Sequence, residues 1–110
     1  QQQIRYKNRN PISLLIGRAR RRARDMGWEF DLDKSIERPI HCPVFGIELD
    51  YSLGNGGRSD HTASLDRIDS AKGYTKDNSR IISWKANRLK SNMSFQEVEQ
   101  LYLYVKTELN

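Results

Sequence analysis

The spacing of apolar residues predicts a helix at each end of the chain. In residues 11–26, apolar side chains recur every three or four positions, which is typical of a helix that buries one stripe. Asn10 and Pro11 suit its N-terminus, because asparagine caps free backbone N–H groups and proline fits the first turn. Gly27 is a typical C-terminal stop. The predicted stripe comprises Ile12, Leu15, Ile16, Ala19, Ala23 and Met26.

A second helical pattern occupies residues 94–109. Ser94 and Glu97 have the spacing of a capping box, in which a hydroxyl and a carboxylate each satisfy a free N–H group. The apolar residues that follow recur at helical spacing and predict an amphipathic helix with a structural role. They are Phe95, Val98, Leu101, Tyr102, Val105 and Leu109.

The region between these helices shows shorter patterns. Residues 31–37 predict one or two helical turns, and residues 41–51 predict one or two short strands around Gly46. Residues 52–63 hold three glycines without an apolar pattern, which predicts a flexible loop. The spacing of those glycines matches no phosphate-loop signature.

Residues 64–91 predict a compact unit of strand, loop, strand and helix. Residues 64–68 and 79–83 have the apolar content of two strands, and a helix is expected to begin near Trp84. The fold class is therefore expected to be α+β.

We expect a single domain over residues 1–110, because the chain is short and shows no internal repeat. Its parts are a basic arm and helix (1–27), a central core (41–91) and a C-terminal helix (94–109).

Charge adds a candidate partner to this picture. The net charge is +5, but residues 1–24 carry eight basic side chains and no acidic one. A basic arm on a near-neutral body is typical of nucleic-acid binding, because Lys and Arg neutralise phosphates. A solvated helix face is the alternative. The candidate DNA-binding residues are Arg18, Arg20, Arg21, Arg22 and Arg24, with Lys85 and Arg88 on the short helix.

Cysteine content and hydropathy narrow the setting. The single cysteine, Cys42, excludes an internal disulfide and a multi-cysteine zinc site. Apolar runs are too short for a membrane span or a secretion signal. We therefore expect a cytoplasmic protein without a membrane partner.

Residues 64–91 also carry the candidate chemistry. Asp66 and Asn87 are hard oxygen donors that this topology would bring together, as Mg²⁺ prefers. Asn78 would close the loop between the strands through side-chain to backbone hydrogen bonds. Arg67 and Lys90 would flank the metal and neutralise phosphate charge. The alternative is a surface Asp–Arg pair with ordinary turn and cap asparagines.

This stretch resembles a known family of nucleases. It reads SLDRID, then GY, DN, IIS and AN..K, and it is similar to the HNH endonucleases, the ββα-metal nucleases common in bacteriophages and mobile elements. The resemblance covers roughly residues 28–93, with its core at 64–90. It implies a metal-dependent DNA endonuclease that uses Mg²⁺, or Mn²⁺, to nick or cut duplex DNA.

The resemblance also implies residue roles. Asp66 matches the first metal ligand of the family and Asn87 the last. Asn78 matches the asparagine that braces the loop, and Lys90 matches a basic residue one turn after the last ligand. The family's nucleophile-activating histidine follows the first ligand directly, and Arg67 stands in that place here.

Arg67 leaves the general base open, because a guanidinium does not accept a proton near neutral pH. His41, His61 and Tyr51 are the candidates. The missing histidine also keeps a second hypothesis open, a non-catalytic DNA-binding module on a degenerate HNH scaffold. A small interaction protein that binds acidic partners ranks last. A homodimer would suit double-strand cutting, although nothing in the sequence demands one.

Overall fold

The computed structural model describes residues 11–53 and 57–110. Over these residues the chain is a small α+β domain of three helices and one two-stranded antiparallel sheet, which confirms the expected class. The elements are α1 (Pro11–Met26), β1 (Ala63–Arg67), β2 (Ser79–Ser83), α2 (Trp84–Lys90) and α3 (Phe95–Leu109).

Helix α1 packs its predicted stripe against the sheet. Ile12, at 0% exposure, lies at the centre of this contact. Met26 is exposed, so the stripe ends one turn earlier than expected. Gly27 has φ +73°, the left-handed conformation in which glycine ends a helix without a Cβ penalty. The helix residues that are buried are Ile12, Leu15, Ile16, Ala19 and Ala23.

Strands β1 and β2 form a hairpin that leads directly into α2. Leu65 pairs with Ile81 and Asp66 pairs with Arg80 in the antiparallel register. Ser83 ends β2 and caps α2, because its hydroxyl accepts a hydrogen bond from the N–H of Ala86. The order strand, strand, helix expected for residues 64–91 is therefore confirmed.

The loop between the strands docks against the segment after α1. The N–H of Tyr74 donates to the carbonyl of Glu29, and the N–H of Asp31 donates to the carbonyl of Tyr74. A Cβ atom at Gly73 would lie 2.2 Å from the carbonyl oxygen of Glu29. This close approach of two backbones requires glycine, so it fixes the loop against the body of the domain.

Two local predictions are wrong. Residues 31–37 form a turn without a helix, in which Asp33 Oδ1 accepts from the N–H of Ser35. Residues 41–51 form single bridges, including His41 with Glu48, instead of a strand. Gly46 turns this segment sharply at φ +76°, so pairing does not extend. In the predicted glycine loop, residues 54–56 lie outside the described residues.

Helix α3 stands apart from this packing. Ser94 and Glu97 form the predicted capping box. All residues of α3 are exposed, so the apolar stripe is present but is not packed against residues 11–53 or 57–94. In the described part of the chain, no helix combines the length and the apolar character needed to cross a membrane.

Candidate functional site

Asp66 is a buried carboxylate near the end of β1, and it is paired with a lysine from α2. The residue is 7% exposed. Its Oδ1 atom accepts a hydrogen bond from Lys90 Nζ at 3.1 Å, and the same ammonium donates to the carbonyl oxygen of Arg67 at 2.7 Å. Lys90 therefore joins the last turn of α2 to the end of β1.

Burial controls the protonation of this carboxyl group. Loss of hydration raises the pKa of Asp66 above its ordinary value, although the hydrogen bond and charge of Lys90 and the charge of Arg67 act in the opposite direction. Buried acids with a raised pKa and a specific charge partner occur at functional sites and also in structural ion pairs. Whether Asp66 belongs to a functional site therefore has to be judged from the residues around it.

Asn87 faces the same strand one helical turn before Lys90. Its Nδ2 atom donates to Ser64 Oγ at 2.7 Å and to the carbonyl oxygen of Leu65 at 3.2 Å. These bonds use both amide hydrogens, and no donor in residues 11–53 or 57–110 reaches Oδ1. Because Ser64 and Asp66 share one face of β1, Asn87 and Asp66 are neighbours across the strand–helix contact.

Asn78 closes the loop between the strands, as expected. Its Oδ1 atom accepts from the N–H of Asp69 at 2.9 Å. Its Nδ2 atom donates to the carbonyl oxygens of Asp69 at 3.1 Å and Gly73 at 2.8 Å. One buried amide thus ties both halves of the loop together and holds the end of β1 beside α2.

Arg67 does not lie on the surface as a phosphate clamp, which corrects the sequence prediction. Its guanidinium stacks on Trp28, with 3.6 Å from Cζ to the ring centroid, and donates to the carbonyl oxygens of Ser70 and Lys72. Burial lowers its pKa from the ordinary arginine value. Arg67 as a whole residue is 7% exposed. Its side chain acts as a brace inside the loop.

The two histidines lie at the other end of β1. His61 directly precedes Thr62 and the strand, and its Nδ1 atom lies 2.9 Å from the carbonyl oxygen of Glu48. His41 bridges to Glu48. Five residues of extended chain separate His61 from Asp66, roughly 16 Å at about 3.3 Å per residue. Both imidazoles are exposed, and neither has a contact with Asp66 among the described hydrogen bonds.

Tyr51 is not placed to accept a proton. Its hydroxyl donates to the carbonyl oxygen of Pro39 at 2.7 Å, and burial raises its pKa. The ring packs against the hydrophobic core. These contacts support a role for Tyr51 in core packing.

A positively charged groove of about 750 Å³ runs along α2 beside this site. Ser64 and Asn87 form part of its wall, whereas Asp66 is not among its lining residues. Among the described residues that line the groove, Asp50 is the acidic one. Guanidinium groups from three parts of the chain line it, namely those of Arg18, Arg22, Arg58 and Arg88.

Trp84 holds two of these arginines at the groove. The guanidinium carbons of Arg58 and Arg88 lie 5.9 Å and 4.8 Å from the centroid of its indole ring. Arg88 also pairs with Asp60 at 3.2 Å, on the surface. Cation–π contact orients both side chains without neutralising their charge, and Arg88 shares its charge with the exposed carboxylate of Asp60.

The other predicted DNA-binding residues are distributed around the domain. Arg20 packs over Phe30 at 5.0 Å, and Lys85 lies 5.3 Å from the ring of Phe45. Arg21 and Arg24 are exposed and do not line the groove. Of the predicted set, the structure thus brings Arg18, Arg22 and Arg88 to the groove.

The donor atoms that remain suit a divalent cation of the hard class. They are Asp66 Oδ2 and Asn87 Oδ1, a carboxylate and an amide oxygen, which are the ligand types that Mg²⁺ prefers. No group of three or more His, Cys, Asp or Glu side chains is placed to hold a metal in the described ranges. Any cation here would depend on water and substrate for its other ligands.

Sequence reasoning missed two residues of this region. Ser64 orients Asn87, and the only signal was its position two residues before Asp66 on a predicted strand. Arg58 belongs to the glycine-rich segment, where no periodicity relates it to Trp84 twenty-six residues later. Contacts of that kind follow from tertiary structure alone.

Comparison with protein-family models, with curated proteins and with solved structures found no match to this chain.

Proposed function

We propose that this protein is a metal-dependent DNA endonuclease with an HNH-like ββα-metal site. The observation that carries the proposal is the arrangement of Asp66 on β1 beside Asn87 and Lys90 on α2, with Asn78 bracing the intervening loop. These residues agree in type, order and position with those implied by the resemblance. The substrate is duplex DNA, and the reaction is hydrolysis of a phosphodiester bond.

The residues of the proposed site have two roles, binding of the cation and stabilisation of negative charge. Asp66 Oδ2 and Asn87 Oδ1 would hold Mg²⁺ or Mn²⁺, and Ser64 accepts a hydrogen bond from the amide of Asn87, which orients its oxygen. A cation bound there would polarise the scissile phosphate and stabilise the leaving oxygen. Lys90 adds a fixed positive charge beside the same carboxylate.

The groove supplies the affinity for DNA. Four arginines along one surface neutralise backbone phosphates, which is a sequence-independent contribution that weakens as salt rises. Because Asn87 lies on the wall of the same groove, a DNA backbone held there would pass beside the proposed cation. Modest sequence preference is expected from such contacts.

Two observations favour a second candidate, a DNA-binding module without catalysis. Lys90 neutralises Asp66, and both histidines lie at the far end of β1. The groove would bind DNA in either case. The two candidates therefore differ in cleavage and in dependence on metal.

Incubation with supercoiled plasmid tests the proposal. With Mg²⁺ or Mn²⁺ we expect conversion to nicked or linear DNA, and a chelator should stop the conversion. Binding of a labelled duplex is measured in the same buffers. Binding that persists with chelator, together with no cleavage in any divalent metal, would replace the nuclease by the binding module. Absence of both would refute the two candidates together.

A further inference from the structure

Helix α3 carries an apolar stripe with coiled-coil spacing that nothing in the described residues covers. The stripe residues follow one another at alternating intervals of three and four, the a and d positions of a heptad pattern. Val98 and Val105 are 39% and 44% exposed. These a and d residues are Phe95, Val98, Tyr102, Val105 and Leu109, and Leu101, also part of the predicted apolar face, lies on the flank of the stripe.

One flank of the stripe carries one charge of each sign. Glu99 and Lys106 are seven residues apart and occupy equivalent positions beside it. The ammonium of Lys106 lies 5.6 Å from the centroid of the Tyr102 ring, which places it at the edge of the stripe. Seven residues are too far for a pair within one helix, because helical neighbours are three or four residues apart.

These charges become complementary only between two copies that run antiparallel. When Tyr102 packs against Val105 of the second copy, Glu99 lies beside its Lys106, and two-fold symmetry forms this pair twice. A slide by one heptad in either direction would place Glu99 beside Glu99 or Lys106 beside Lys106. Parallel helices would instead place Lys106 beside Leu101 and Glu99 beside Ser94, without an ion pair.

We infer that α3 is a dimerisation element that binds α3 of a second copy in this antiparallel register. The apolar stripe supplies the attraction, and the Glu99–Lys106 pairs select direction and register. Two heptads form a small interface, so we expect a weak dimer with a dissociation constant in the micromolar range, on the order of that for small transient interfaces. The inference does not depend on the proposed nuclease activity.

Sedimentation equilibrium of the full chain tests this assembly, from roughly 1 μM to 1 mM so as to bracket a weak association. The wild-type mass should rise from 12.9 kDa towards twice that value. Glu99→Lys and Lys106→Glu should each weaken the dimer by at least about fivefold, because each turns two attractive contacts into repulsions. The double variant Glu99→Lys/Lys106→Glu restores complementary charges and should dimerise within about twofold of wild type.

Tyr104→Lys is the matched control, since Tyr104 is 64% exposed on the opposite face of α3; its dimer should match wild type. Circular dichroism checks that every variant keeps the helical content of wild type. A protein that stays monomeric at all concentrations would overturn the inference. This holds even if hydrogen exchange showed that another part of the polypeptide covers α3. A dimer that ignores the single charge changes, or that the double variant fails to restore, would overturn it equally.

Discussion

The two ends of β1 differ in chemistry, although the strand is only five residues long. At the polar end, the Asp66 carboxylate is buried and accepts a hydrogen bond from the ammonium of Lys90, and Asn78 braces the loop that follows β1. At the histidine end, His41 and His61 are exposed and face the backbone of Glu48. The groove follows α2 between the two ends.

Residue type alone is a poor guide to the site. An exposed histidine costs little free energy and is common on any protein surface, whereas a buried carboxylate is costly unless it is paired. At Asp66 the carboxylate is buried and paired with the ammonium of Lys90. We therefore place the proposed chemistry at the polar end.

Loss of either proposed cation ligand should have the largest effect. Asp66→Ala and Asn87→Ala should each reduce plasmid cleavage by at least about 10²–10³-fold, the scale on which removal of one preorganised electrostatic partner acts. Asp77→Asn, an exposed acid in the same loop, should cleave as wild type does. Near wild-type cleavage by either alanine variant, with the fold intact, would move the site elsewhere.

Next in size is the effect of the groove on binding. Arg18→Ala/Arg22→Ala removes two charges from the groove, and Arg21→Ala/Arg24→Ala removes two from elsewhere on α1. Fluorescence anisotropy of a labelled duplex should show about tenfold weaker binding for the first pair and a salt slope smaller by up to about 2. Equal losses for the two pairs would mean that DNA follows the whole surface of α1.

The histidines should matter less. We expect His41→Ala and His61→Ala each to change single-turnover cleavage by less than about threefold, far below the 10²–10⁴-fold typical of a lost general base. Tyr51→Phe is the control for a group already donating to a backbone carbonyl. A hundredfold lower rate of cleavage in one histidine variant would mean that both ends of β1 belong to a single catalytic site.

The smallest effect concerns stability. Burial raises the pKa of Asp66 from 3.8, so the folded state binds this proton more tightly than the unfolded state does. The resulting contribution to the free energy of unfolding is complete below pH 3.8 and is lost as pH rises through the folded-state pKa. At pH 7, Asp66→Asn should therefore unfold at a midpoint equal to wild type or a few degrees higher. The gap should close as pH falls towards 3.8. A midpoint well below wild type at pH 7 would show that pairing with Lys90 outweighs burial.

Much of the fold could be predicted because local patterns determine it. The stripe of α1, the two strands, the Ser83-to-Trp84 transition and the capping box of α3 all follow from spacing and capping chemistry. The segment around Gly46 was predicted less well, because its bridges depend on partners elsewhere in the chain. An apolar stripe indicates that one face of a helix is apolar, but it does not tell whether that face is buried. The stripe of α1 is buried, whereas that of α3 is exposed.

Element order made part of this arrangement predictable, because strand, loop, strand and helix bring Lys90 to Asp66 and Asn87 to the same strand. Asn78 closes the intervening loop, as its place between the strands indicated. Arg67 was misplaced in the prediction, since its stacking on Trp28 joins segments thirty-nine residues apart.

A structure of the protein with bound Mn²⁺, located by its anomalous signal, tests the central claim most directly. We expect the ion to bond to the Asp66 carboxylate and the Asn87 amide oxygen, at distances close to the roughly 2.0–2.1 Å typical of Mg²⁺. An ion bound at His41 or His61 instead, or none while Lys90 stays on Asp66, would contradict it.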